Sequence, residues 1–191
     1  ARFEITSFPT LKVFEYGSEK SDAKSYDYEG GRDAKLLIDW GTDLAEKSDI
    51  EPNIYEIVSK YVYAENCHGQ MVCVINFLPN IYDSSADERN RYLDMIKKVA
   101  TKNRKSHFLS FFWLQAGDQL DLERALGLGF GFPASIAVSP SRGLFSIMKS
   151  SFSEAELGSF VRNLITSGSG LEKLKVELAF KKSDPWDGKD A

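Results

Sequence analysis

Little in this 191-residue chain can carry redox or metal chemistry. It has two cysteines, Cys67 and Cys73, two histidines, His68 and His107, and three methionines. The cysteines and histidines supply at most four metal ligands, and His107 lies in an apolar run, which argues against a zinc site. Neither a metal site nor a cofactor is expected. No Asn-x-Ser/Thr sequon occurs. No Lys/Arg run exceeds two residues and the net charge is -4, so the chain offers no phosphate-tracking surface and no nucleic-acid partner is expected. No apolar stretch approaches the roughly 18 residues of a membrane span, so none is expected to enter a bilayer. The chain begins with Ala rather than Met and shows no leader, which points to an upstream segment processed or left out.

What is present is core material. Thirteen Phe, eight Tyr and three Trp, with 42% hydrophobic residues, suit one or two small globular domains. Thr10 to Phe14 alternates between Pro9 and Gly17 and reads as a strand, and Ser25 to Tyr28 reads as a second. Asp33 is a good N-cap for a helix with Leu37, Trp40 and Leu44 on one face. Ser48 to Pro52 reads as a linker.

From Ile54 the pattern is β-α-β-α-β-α-β-β-α. Met71 to Leu78 and His107 to Leu114 are apolar on both faces, typical of central strands. Ser85 with Glu88, and Ser153 with Glu156, form capping boxes. Tyr92, Met95, Ile96 and Val99 make one helical stripe, and Leu157, Phe160, Val161 and Leu164 another. Phe111, Phe112 and Trp113 read as core rather than as a sticky surface, because helices would cover both faces of their strand. Leu174, Val176, Leu178 and Phe180 alternate as an edge strand would, and Lys181 onward reads as polar and mobile. The expected fold class is α/β, of the thioredoxin layout. Residues 1–47 form a β-β-α half of such a unit, 48–52 the linker, 53–168 a complete unit and 169–191 a polar extension.

The half unit repeats part of the complete one. Phe8-Pro9-Thr10 and Phe132-Pro133-Ala134 each open a strand–turn–strand–helix run of matching order and length. Both prolines are expected to be cis, which X-Pro bonds tolerate. The simpler alternative is that they merely begin strands.

Ile5 to Phe14 (ITSFPTLKVF), then Tyr28-Glu29-Gly30-Gly31-Arg32, resembles the second half of a catalytic thioredoxin domain of the protein disulfide isomerase family, with Ser7 where glycine is usual. Gly127 to Ala134 (GLGFGFPA), Gly117-Asp118-Gln119-Leu120, Ser151 to Glu154 and Pro185-Trp186-Asp187-Gly188 are similar to the redox-inactive domain of the A-six branch. That resemblance implies an endoplasmic-reticulum thiol–disulfide oxidoreductase for secretory proteins. It places the chain after the Cys-x-x-Cys of a second catalytic domain and before an acidic tail and a retention signal. Phe8, Pro9 and Thr10 would then be a substrate-side segment, with Phe132 and Pro133 its counterpart. The implied partners are unfolded or misfolded secretory proteins and an ER Hsp70-type chaperone.

Disulfide exchange needs a thiolate of lowered pKa, usually the first Cys of Cys-x-x-Cys at a helix N-terminus. In the complete unit that slot reads Pro79-Asn80-Ile81-Tyr82-Asp83 and has no sulfur, so no catalytic residue is assigned in the chain. Three readings of Cys67 and Cys73 stay open: a structural disulfide, two reduced residues with Cys73 buried, or a redox-active or partner-linked pair, with His68 placed to lower the pKa of Cys67. Three functions also compete: part of a disulfide isomerase, a non-enzymatic chaperone or adaptor, and an unrelated thioredoxin-fold binding protein.

Overall fold

The structure, a computed structural model, describes residues 3, 5–14, 25–47, 51–106, 108–168 and 170–191. Gly17, residues 48–50 of the expected linker, and His107 lie outside them. The chain divides into two compact units, Ala1–Ile50 and Glu51–Ala191.

In the first unit β1 (Lys12–Phe14) pairs antiparallel with β2 (Ser25–Asp27), Val13 opposite Tyr26. The Lys12 ammonium meets the Asp27 carboxylate across the pair at 2.5 Å. Helix α1 (Ala34–Lys47) starts at Asp33, whose carboxylate accepts the Leu36 N–H at 3.0 Å, the expected N-cap. Leu37, Trp40 and Leu44 are half-buried, and Trp40 stacks on Tyr28 with ring centroids 4.5 Å apart. No described residue of this unit is fully buried, and Leu36 and Ile38 point into solvent.

The second unit follows the expected order: β3 (Ile54–Glu56), α2 (Lys60–Cys67), β4 (Val72–Leu78), α3 (Ala86–Lys102), β5 (Leu109–Gln115), α4 (Leu120–Ala125), β6 (Ala134–Ser139), β7 (Leu144–Ile147) and α5 (Glu154–Thr166). The sheet runs β3-β5-β4-β6-β7, with β3, β5 and β4 parallel and β6 and β7 antiparallel. This is the thioredoxin-like arrangement. All seven residues of β4 are buried, as its unbroken apolar run requires of a strand covered on both faces. Its one polar residue, Asn76, donates to the Phe112 carbonyl at 2.8 Å and accepts from the Ser135 hydroxyl at 2.5 Å, so burial leaves its amide satisfied. Alternation along β4 divides the core. Cys73, Ile75 and Phe77 face one cluster with Phe112 and Leu122. Val72, Val74 and Leu78 face the other, with Phe111, Trp113, Ile96, Val99, Leu157 and Val161. Phe111, Phe112 and Trp113 are therefore core. The Ser85 and Ser153 hydroxyls accept the N–H groups of Glu88 and Glu156, as the capping boxes predict.

The chain after residue 170 departs from the expected edge strand at Leu174 to Phe180 and the expected mobility from Lys181 onward. A short strand β8 (Glu172–Lys173) adds to β7, so the edge strand falls before the alternating stretch rather than on it. Leu174, Val176 and Leu178 pack on the first core cluster and Phe180 is buried in it. Beyond Phe180 the hold is polar. Gln119 and the Lys181 backbone exchange two hydrogen bonds, the Ser183 N–H reaches the Val58 carbonyl, and the Asp190 carboxylate accepts from the Ala86 N–H at the start of α3. Polar side chains fasten this strap through distant backbone groups, which the polarity of the segment does not reveal.

Candidate functional site

The site stands where β4 ends and the chain turns into α3. Pro79 cannot continue the sheet ladder, and Asn80 then builds a short turn. Its side-chain oxygen accepts the Tyr82 N–H at 3.1 Å, its side-chain amide donates to the Ala116 carbonyl, and its carbonyl accepts the Ser84 hydroxyl. Residues Ile81–Asp83 form one 3₁₀ turn. The Ile81 N–H donates to Gln115 Oε1 at 3.1 Å. The same Gln115 oxygen accepts Arg89 Nη2 at 2.6 Å, and Gln115 Nε2 reaches Asp118. The sulfur-free slot is thus held by the end of β5 and by α3.

Beneath the slot lies Arg89, only 2% exposed. It sits seven residues before Ile96, on the buried stripe of α3. Its guanidinium donates to the Pro79 carbonyl at 2.8 Å and lies between two indoles, 5.6 Å from the Trp113 ring and 5.1 Å from the Trp186 ring. Trp186 belongs to the strap and meets Trp113 edge-on; its backbone N–H donates to the Glu56 carboxylate at 3.0 Å and its indole N–H to the Lys189 carbonyl. Burial raises the Glu56 pKa, while the Trp186 N–H and then the Arg89 charge oppose that rise. The motif Pro185-Trp186 marked a resemblance, but sequence reasoning gave Arg89 no role, because an arginine on a helix reads as solvent-facing.

The register of β4 with β6, Phe77 opposite Ala134, carries Phe132-Pro133 to the mouth of the slot. The Phe132–Pro133 bond is cis. A cleft of about 460 Å³ opens there, lined by Asn80, Asp83, Glu88, Leu120, Glu123 and Phe132 among others. Two apolar side chains of its wall, Leu120 and Phe132, are exposed, and Tyr82, on the adjoining 3₁₀ turn, is 84% exposed.

Cys67 and Cys73 are joined as a disulfide, 4% and 0% exposed. Cys67 ends α2 and Cys73 lies near the start of β4. At about 3.3 Å per strand residue, roughly 20 Å of β4 separates this bond from the slot. A buried disulfide gives an attacking thiolate no approach, so neither sulfur serves the cleft. The two cysteines are bonded rather than reduced, and His68 is exposed beside them.

In the first unit the Phe8–Pro9 bond is also cis. Arg32 donates to the Pro9 carbonyl at 2.7 Å, the Thr10 hydroxyl donates to the Ser7 carbonyl, and the Tyr28 hydroxyl donates to the Gly31 carbonyl. Two stretches singled out in the sequence, Phe8-Pro9-Thr10 and Tyr28 to Arg32, therefore meet. Phe8 is 90% exposed, and among the described residues no hydrogen bond engages its backbone.

Comparison with known proteins agrees with the arrangement. The family model described as PDIA6-like, C-terminal thioredoxin-like domain, matches residues 44–170. Over its whole length the chain is 36% identical to protein disulfide-isomerase 2-3 of Arabidopsis thaliana and 34% identical to protein disulfide-isomerase A6 of Homo sapiens. It spans 42% of the length of each of these relatives. Among solved structures it is similar to the first thioredoxin domain of mouse protein disulfide-isomerase A4, at 10% identity over 73% of this chain and 92% of that one, with a TM-score of 0.49.

Proposed function

Since the chain belongs to the A6-like family of protein disulfide isomerases, we propose that it is part of a thiol–disulfide oxidoreductase of the endoplasmic-reticulum lumen that assists oxidative folding of secretory proteins. Its first unit contributes the substrate-side segment Phe8-Pro9-Thr10 of a catalytic domain. Among the described residues no hydrogen bond engages the Phe8 backbone beside the cis bond, which supports that role, because an extended peptide recognised at a sheet edge needs free main-chain groups. Its second unit is a redox-inactive docking domain for unfolded or misfolded secretory chains and for an ER Hsp70-type chaperone. Neither nucleic acid nor membrane is a partner.

One observation carries the docking role. Where a dithiol would sit, the chain has a hydrogen-bonded, sulfur-free turn beside an open apolar-rimmed cleft, and both cysteines are locked away in a buried bond. The test is a titration of the full chain with reduced, alkylated ribonuclease A as unfolded client, followed by amide NMR. Binding is expected to perturb Asn80, Tyr82, Leu120 and Phe132 first, with a smaller response around Cys67. Perturbation confined to other surfaces contradicts the reading. A non-enzymatic adaptor is the second reading, favoured by the lack of any thiol outside the disulfide. A Cys-x-x-Cys about 40 residues before Ala1 in the parent protein decides for the enzyme, and its absence decides for the adaptor.

A further inference from the structure

Three carboxylates reach the cleft from three separate elements: Asp83 from the slot, Glu88 from the first turn of α3 and Glu123 from α4. No lysine or arginine lines it. Arg89 is enclosed beneath Pro79, with its charge committed to that carbonyl and to Gln115. Lys181, a cation near α4, is ion-paired with Asp121 at 2.6 Å.

The three acids differ in what already holds them. Glu123 accepts the Gly117 and Gln119 N–H groups, which fix the loop before α4. Glu88 accepts the Tyr92 hydroxyl at 2.9 Å. Asp83 is exposed and has no side-chain partner among the described residues. An occupant that covered this wall with apolar groups alone would desolvate Asp83 with no partner and Glu88 with only the Tyr92 hydroxyl to offset the loss, which disfavours it. An occupant carrying a cation offsets that cost and is steered toward the face during encounter.

We propose that the cleft selects polypeptide segments in which an aromatic or aliphatic side chain is flanked by lysine or arginine. This deepens the docking role above and rests on it. The apolar residue lies between Leu120 and Phe132, and the flanking cation meets Asp83 and Glu88. The volume, about 460 Å³, suits one large side chain and its neighbours. Acidic segments and polyanions are rejected by the same wall.

The experiment uses the full 191-residue chain and three fluorescent peptides of equal length: Leu-Phe flanked by lysines, Leu-Phe flanked by glutamates, and Ala-Ala flanked by lysines. Anisotropy gives affinity and amide NMR gives the site. The lysine-flanked Leu-Phe peptide is expected to bind about tenfold more tightly than either other peptide. Its shifts should centre on Asn80, Leu120 and Phe132, and its affinity should weaken as salt rises. Asp83→Asn with Glu88→Gln should remove most of the preference over the glutamate-flanked peptide while leaving the circular dichroism of the chain unchanged. Asp83 is exposed, and glutamine at 88 keeps a capping-box residue and an acceptor for the Tyr92 hydroxyl, so the fold is expected to persist. Equal binding of the two Leu-Phe peptides at the cleft would overturn the charge selection while leaving docking intact. Cleft amides unmoved by any peptide would overturn docking, and the selection with it. Equal binding of the Ala-Ala and Leu-Phe lysine peptides would reduce the effect to nonspecific charge and refute the proposal.

Discussion

At the scale of single residues, one buried and one half-buried polar group show how environment sets behaviour. Arg89 is kept by carbonyl and amide oxygens and by two indole faces rather than by a direct carboxylate contact. It joins the slot, the helix after it and the strap. Tyr63 is the simpler case. It packs against Phe112 and Phe180, with ring centroids 5.4 and 4.8 Å away, and burial pushes its phenol up to about 12. The unfolded chain gives up that proton near pH 10. The folded state therefore binds the extra proton between about pH 10 and 12, so the stability it confers is complete below pH 10 and is lost as pH rises through about 12. Tyr63→Phe removes no hydrogen bond among those observed. Urea unfolding at pH 8 and at pH 11 should show the variant losing less stability on alkalinisation than the parent, by up to about 1.4 kcal/mol per pH unit. Equal losses would show that the phenol titrates normally.

At the scale of elements, the strap decides whether the domain ends at α5 or continues to the last residue. Phe180 is buried in the first core cluster, beside Tyr63. Phe180→Ala should cost about 3 kcal/mol in urea unfolding, the range of a buried aromatic truncation. A loss below about 0.5 kcal/mol would mean that the segment lies loosely on the surface. The alternation Leu174, Val176, Leu178, Phe180 was legible in the sequence because apolar spacing encodes burial. The polar remainder was not, since Gln119, Asp190 and Glu56 find their partners 62, 104 and 130 residues away. The same contrast runs through the site. The missing dithiol could be read directly from Pro79 to Asp83, and β4 and the two capping boxes from local pattern alone. The cleft could not be read that way, because Asp83, Glu88 and Glu123 become neighbours only when β4, α3 and α4 are packed. Arg89 was missed for a related reason: a buried stripe containing an arginine is distinguishable from a solvated face only when its acceptors are known.

At the scale of the whole molecule, the two units differ in how well each can stand alone. The second has a sheet covered on both faces. The first has two three-residue strands and one helix, with none of its described residues fully buried. Two strands and a helix bury too little apolar surface to offset backbone ordering of roughly 1–2 kcal/mol per residue. Amide hydrogen exchange on an isolated 1–50 peptide should show no strong protection at Leu11 to Phe14. Strong protection at dilutions where the peptide is monomeric would show an autonomous fold. This chain belongs to a disulfide isomerase family, and we propose that it does no thiol chemistry itself. Reactivation of scrambled ribonuclease by the purified chain tests that most directly. The expected result is a rate equal to the uncatalysed background, unchanged in Cys67→Ser. A rate near that of a catalytic thioredoxin domain, abolished by Cys67→Ser, would contradict the account.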